Sequence, residues 1–165
     1  ITVAAAAGAS HIGLNFFPPS PRAVTPEAAA DLVAHVPDGV KIVALVVDAD
    51  DALFDAIWTN VHPDIFQLHG KESPDRVREI KQRYGAQVMK VLRVAEAEDA
   101  RTALKAYRGD TPWMLAGGLT AENVAEAIRV TGAKAVDTAS GAEDAPGVKS
   151  PEKIRAFVSA ALQAD

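Results

Sequence analysis

Residues 113–143 read WMLAGGLTAENVAEAIRVTGAKAVDTASGAE. The stretch predicts a short apolar strand, a glycine pair at Gly117 and Gly118, a helix opened by Thr120, a second strand over residues 133–137, and a polar turn with Ser140 and Gly141. Each glycine corner follows the carboxyl end of a strand. Bare backbone N–H groups approach an anion closely there, and a helix N-terminus adds positive potential. Alone, a glycine pair is only a tight strand-to-helix turn. Two successive strands ending this way predict one phosphate held by both corners, and Ser140 adds a hydroxyl to its N–H. In a closed (β/α)8 barrel the loops after the last two strands form such a cradle.

Working outward, the same alternation runs through the chain. Residues 1–8 read as the tail of a helix stopped at Gly8. HIGLNFF (11–17) is β-rich and runs into PPSPR, whose prolines forbid further strand or helix, so Arg22 sits on a stiff loop past a strand end. Thr25-Pro26-Glu27 supplies a cap, a first-turn proline and an acid, opening a helix to about Val36. The device recurs at Ser73-Pro74-Asp75 and Ser150-Pro151-Glu152. VKIVALVV (40–47) is nearly unbroken apolar sequence, as a parallel strand buried on both faces requires. A helix over 51–60, a strand over 64–68 ending in His69 and Gly70, a helix over 73–84, a strand over 87–93, a helix over 96–107 and a last helix over 151–162 complete the series. Strand signals near 10, 40, 64, 87, 113 and 133 describe βα units on a parallel sheet in one domain spanning 1–165. Six strands and 165 residues suit an open doubly wound sheet; a closed barrel needs eight strands and about 200 residues or more.

Composition narrows the chemistry. Hydrophobic residues make up 48% and charged residues 24%, the balance of a globular core with a solvated surface. A net charge of −5, with basic residues scattered among acids, gives no field for nucleic acid. A small anionic substrate needs only a local nest of N–H groups. Without cysteine there is no disulfide, thiolate metal site or cysteine nucleophile among these residues. No apolar run approaches the roughly 20 residues of a membrane span, and ITVAAAAGAS lacks the basic region of a signal peptide, so a cytoplasmic setting is expected.

FFPPSPR (16–22), QLHG (67–70), KVLRV (90–94), LAGGLTAENV (115–124), VDTASGAE (136–143) and APGVKS (145–150) occur in the order found in the phosphoribosylanthranilate isomerases of tryptophan biosynthesis. The resemblance covers essentially the whole chain; its loosest element is VDTASG, where Ala139 stands at a position the family more often gives to serine. It implies a (β/α)8 TIM barrel, incomplete here with about six of eight strands represented. The family's first strand carries a Lys-Ile-Cys-Gly-like motif whose cysteine is the general base, and no such stretch precedes Ile1. Its sixth strand, with a Leu-Leu-Asp-like motif bearing the general acid, belongs between Tyr107 and Trp113, where five residues cannot hold it. The expected catalytic pair is therefore not among these residues. Both strands are expected to lie outside the 165 residues rather than to be a natural deletion, which would open two barrel edges.

The candidate substrate-binding residues are Arg22, His69, Gly117, Gly118, Asp137, Ser140 and Gly141. A planar guanidinium takes a carboxylate bidentately, and the resemblance gives Arg22 that role toward an anthranilate carboxylate. His69 faces the rim and is expected to orient substrate; Asp137, an anion beside the phosphate turn, shapes the rim by hydrogen bonding. Lys90 and Arg93 either add positive potential there or snorkel structurally. His11, His35 and His62 have no constellation and read as exposed or capping; Trp58 and Trp113 read as packing residues.

The implied reaction is the Amadori rearrangement of N-(5-phosphoribosyl)anthranilate to 1-(2-carboxyphenylamino)-1-deoxyribulose 5-phosphate, an aldose–ketose isomerisation by general acid and base. It requires no metal and no cofactor, and its partner is a phosphosugar carrying a carboxylate. The protein would be a monomer or homodimer. Two rivals stand beside it. A related phosphosugar isomerase, as in histidine biosynthesis, would use paired aspartates on strands one and five, and Lys90–Arg93 offers none. A noncatalytic phosphate-binding barrel fragment would keep the glycine corners and lack the acid and base.

Overall fold

The computed structural model describes residues 1–91 and 113–164. The chain divides between Leu92 and Arg93 into two compact units. The expected helix over 96–107, the strand end at 92–93 with Arg93, and the stretch 108–112 lie outside the described residues.

The first unit is a parallel sheet, β1 (His11–Asn15), β2 (Lys41–Val46), β3 (Ile65–Leu68) and β4 (Gln87–Lys90), paired in that spatial order. Helices α1 (Thr2–Ala7), α2 (Pro26–Val33), α3 (Asp51–Val61) and α4 (Pro74–Tyr84) precede or connect the strands. His11 pairs with Lys41, Val43 with Ile65, and Ile65 with Gln87, so the carboxyl ends of all four strands share one rim. Sequence explains each boundary. Thr25 and Ser73 accept the N–H groups of Ala28 and Arg76, both at 3.2 Å, and Pro26 and Pro74 occupy the first helical positions. Asp50 caps α3 through the Leu53 N–H at 2.9 Å. His62 at φ 47° and Gly85 at φ 67° close α3 and α4 in the left-handed region.

Every residue of β3 is buried, Gln67 among them, whereas β2, the apolar run expected to be buried on both faces, buries Val43, Ala44 and Val46 and leaves Lys41 exposed and Ile42 and Leu45 half-buried. Phe54, Ile57, Phe66, Leu68, Ile80 and Val46 fill the core at 2% exposure or less, each contributing about 1.5–3 kcal/mol by leaving water. Phe54 meets Phe66 edge-on at 5.1 Å, and Trp58 and Tyr84 close the aromatic cluster, the packing role expected of Trp58.

Among the described residues, the second unit holds β5 (Leu115–Ala116), α5 (Val124–Thr131) and β6 (Val136–Asp137); β5 and β6 are parallel, with Leu115 opposite Val136 and Ala116 opposite Asp137. A 3-10 turn (Ser140–Ala142), a hairpin of β7 (Glu143–Ala145) and β8 (Val148–Lys149), and α6 (Pro151–Leu162) follow. Leu119, Val124 and Phe157 are its buried centre, with Leu115, Ile128 and Val136 against them.

Several details depart from the sequence reading. The helix expected from Thr120 begins at Val124, because Asn123 Oδ1 accepts the Thr120 N–H at 2.8 Å and holds 120–123 in a turn. The strand expected over 133–137 is confined to Val136–Asp137. The hairpin over 143–149 went unread, although Pro146-Gly147, with Gly147 at φ 82°, is its turn signal. Ser150 stands at the N-cap of α6 without a side-chain capping bond.

Candidate active site

The two glycine corners meet. Gly117 (φ 104°) and Gly118 (φ 65°) follow β5 in a conformation that side chains rarely adopt, and both are exposed. Leaving β6, Thr138 donates its hydroxyl to the Leu119 carbonyl at 2.7 Å. Gly141 presses on the same carbonyl: a Cβ there would stand 2.0 Å from Leu119 O. Any side chain at 141 would separate the corners. Asn123 Nδ2 donates to the Gly118 carbonyl at 3.0 Å, tying the first corner to the start of α5.

Ser140 opens the 3-10 turn and is exposed; Ala139, not Ser140, is its cap residue. Asp137 ends β6, exposed at the carboxyl end of the strand, and is not without a partner. Beneath the turn, the Glu143 side chain is buried at 3% exposure, and Lys149 Nζ donates both to it at 2.9 Å and to the Ala139 carbonyl at 2.8 Å. That lysine pins the base of the corner. Sequence reading missed it.

In the first unit, Arg22 ends a loop knotted by two polar side chains. Asn15 Oδ1 accepts the Phe17 N–H at 2.8 Å, Asn15 Nδ2 donates to Ser20 Oγ at 3.2 Å, and Ser20 Oγ accepts the Arg22 N–H at 3.1 Å. The Val24 N–H returns to the Asn15 carbonyl at 2.8 Å, and Asn15 bridges Ala23 in parallel. The loop is rigid for reasons beyond its prolines. Arg22 is half-buried and engaged in an interaction of its own.

His69 follows β3 directly, half-buried, its N–H on the Val46 carbonyl at 2.9 Å. It stands in a polar lattice at the rim. Glu72, with a side chain only 4% exposed, accepts N–H bonds from Asp48 at 2.9 Å and from Gly70 at 3.0 Å, and Lys90 Nζ at 3.0 Å. Lys90 also donates to the carbonyls of Gly70 at 2.6 Å and Leu68 at 3.3 Å. Of the two roles open to Lys90, the structure selects the structural one. Burial pushes the Glu72 carboxyl up, but the Asp48 N–H and Lys90 outweigh it and hold the group below its ordinary value. Gly70 is required here, since a Cβ would lie 2.3 Å from Asp48 Oδ1.

The remaining histidines carry little chemistry. His62 caps α3, and His35 bonds the Asp31 carbonyl at 2.9 Å. His11 is half-buried beside Ser10, its pKa lowered by burial and by Lys41 against the opposing pull of Asp64. Among the described residues no group of three His, Asp or Glu is placed to hold a metal, and no helix is long and apolar enough to cross a membrane.

The family model of N-(5'phosphoribosyl)anthranilate (PRA) isomerase matches residues 1–112 and 101–160. An N-(5'-phosphoribosyl)anthranilate isomerase of Parvibaculum lavamentivorans is 44% identical over 200 aligned positions, covering 99% of this chain and 93% of the relative. Because 200 positions exceed the 165 residues, the relative holds, inside the aligned span, residues that this chain lacks. The two matched pieces overlap over residues 101–112, which adjoin the place between Tyr107 and Trp113 expected for the sixth strand. The crystal structure of phosphoribosyl anthranilate isomerase in complex with reduced 1-(o-carboxyphenylamino)-1-deoxyribulose 5-phosphate superposes with a TM-score of 0.85 at 29% identity, covering 97% of this chain and 91% of that one. Monomers generated from the dimeric enzyme of Thermotoga maritima give 0.83 at 29% identity, covering 98% and 91%. The fold is the (β/α)8 barrel, and the open doubly wound sheet is set aside. With a family model matched over most of its length and a relative at this identity, the chain belongs to the N-(5'-phosphoribosyl)anthranilate isomerase family.

Proposed function

We propose that the protein is a phosphoribosylanthranilate isomerase, performing the aldose–ketose isomerisation of N-(5-phosphoribosyl)anthranilate in tryptophan biosynthesis, in the cytoplasm, as a monomer or homodimer. The observation that carries the substrate assignment is the contact of Gly141 and Thr138 with the Leu119 carbonyl, which joins the corners after two successive strands. Backbone N–H groups of Gly117, Gly118 and Gly141, with the Ser140 hydroxyl, receive the phosphate. Arg22 receives the carboxylate through its planar fork. His69 orients the substrate, and Asp137 shapes the phosphate rim by accepting hydrogen bonds.

In the rearrangement an acid protonates the furanose oxygen, the ring opens to a Schiff base, and a base takes the C2 proton; the enamine then becomes the aminoketone. On this reading, Arg22, His69 and the glycine corners bind the substrate. The 165 residues contain no cysteine, so the base implied by the family resemblance is not among them. The rival reading is a phosphosugar-binding barrel that grips the ligand without transforming it; the family match and the relatives favour the isomerase.

The test pairs two measurements on one sample. Calorimetry with reduced 1-(o-carboxyphenylamino)-1-deoxyribulose 5-phosphate reports binding, and loss of phosphoribosylanthranilate fluorescence reports turnover. The isomerase reading expects both. Binding without turnover selects the binding barrel, and failure to bind rejects the site.

A further inference from the structure

Resting on the assignment of Arg22 to the substrate carboxylate, we infer that Asn15 and Ser20 are positioning residues that set carboxylate selectivity through Arg22. Two polar side chains converge inside a loop of seven residues, and each has a distinct task. Asn15, the last residue of β1, fixes the loop's entry with its side chain, which accepts the Phe17 N–H, while its backbone carbonyl accepts the Val24 N–H at the exit. Ser20 carries that constraint to Arg22: its hydroxyl oxygen receives the Asn15 amide on one side and the Arg22 N–H on the other. The Ser20 N–H reaches back to the Phe17 carbonyl at 2.9 Å, and the Ala23 N–H to the Ser20 carbonyl at 3.1 Å. The Arg22 backbone is thus held on both sides by bonds that converge on Ser20.

A bidentate guanidinium–carboxylate pair demands a fixed approach direction, because two parallel bonds must form in one plane. An arginine on a loose loop loses that geometry while keeping its charge. Prolines at 18, 19 and 21 fix their own φ and confine the residues before them to extended backbone, but Arg22 itself precedes no proline, so they stiffen the loop without aiming its last residue. The Asn15–Ser20 pair provides the aim.

The experiment compares two ligands by calorimetry on the full chain: reduced 1-(o-carboxyphenylamino)-1-deoxyribulose 5-phosphate, and the same molecule without its carboxylate. Ser20→Ala and Asn15→Asp, which keeps the acceptor for Phe17 and removes the donor to Ser20, are expected to weaken the first ligand by ~3- to 10-fold and leave the second unchanged. Arg22→Ala is the reference and is expected to remove the preference for the carboxylate ligand. Equal weakening of both ligands marks a merely structural role and overturns the inference. Retained preference in both Ser20→Ala and Asn15→Asp, with preference lost in Arg22→Ala, overturns the positioning role alone. Retained preference in Arg22→Ala overturns the assignment of Arg22 and the inference with it. A Ser20→Ala protein that fails to fold leaves Asn15→Asp to decide.

Discussion

The Leu119 carbonyl oxygen fills the space into which a side chain at Gly141 would grow, 2.0 Å from where its Cβ would stand. Thr138 Oγ1 lies 2.7 Å from the same point, so neither a backbone nor a bonded side chain can give way cheaply. Gly141→Ala is therefore expected to push the two corners apart. Gly132→Ala makes the control, because Gly132 at φ 69° caps α5 with nothing within 4 Å of a Cβ, so the change costs only the left-handed backbone strain of an alanine, about 1–2 kcal/mol. Thermal unfolding with and without inorganic phosphate separates the two. The Gly132 variant should keep the phosphate-induced rise in Tm and the Gly141 variant should lose it; a full rise in Gly141→Ala would detach phosphate binding from the corner contact.

The Glu72–Lys90 pair predicts an acid-side dependence of stability. The folded pKa of Glu72 lies below its ordinary 4.5, so its contribution is present above that value and lost as pH falls through the folded value. Glu72→Gln should cost about 2 kcal/mol at neutral pH, and its urea midpoint should fall less steeply than that of the native protein below about pH 4.5. Lys90→Met leaves a buried carboxylate without its cation, which shifts the acid-side loss to higher pH. Parallel acid limbs in all three proteins would remove Glu72 from the account.

How far the sequence carried this description depends on the range over which each signal acts. Caps at Thr25 and Ser73 and the apolar run of β2 are local, and they were legible. The glycine corners were legible because two of them fell after successive strands. Glu72 was not, since its partners Asp48 and Lys90 are 24 and 18 residues away and nothing local marks the carboxylate as buried. Lys149 escaped for the same reason, serving Ala139 from the far arm of an unread hairpin. Ser150 shows the converse failure: a capping signature that marks the start of the helix while its hydroxyl makes no capping bond.

Gly70 gives a test of the rim independent of ligand. A Cβ at 70 would meet Asp48 Oδ1 at 2.3 Å and the Asp48 backbone nitrogen at 2.6 Å. Gly70→Ala should destabilise by about 2–4 kcal/mol, through overpacking and the loss of the Gly70 N–H bond to Glu72. Adding Asp48→Ala removes the carboxylate clash and leaves the backbone one, so a double-mutant cycle in urea should show partial rescue. Full rescue would place the conflict in the side chain alone.

Tyr84 carries the alkaline limit. Burial, aided by the hydroxyl's 2.6 Å bond to Asp55 Oδ1, pushes its phenol up to about 12 from the usual 10. A folded pKa above the unfolded one means that the contribution is complete below pH 10 and lost as pH rises toward 12. Tyr84→Phe should cost about 1 kcal/mol at pH 7 through the lost hydrogen bond. Above pH 10 the gap to the native protein should narrow, because the variant has no buried phenol to protect from ionisation. The tyrosinate absorbance step missing from the variant's titration should lie near 12. A missing step near 10, with a stability gap that stays constant to pH 12, would show that Asp55 and burial leave the phenol unperturbed.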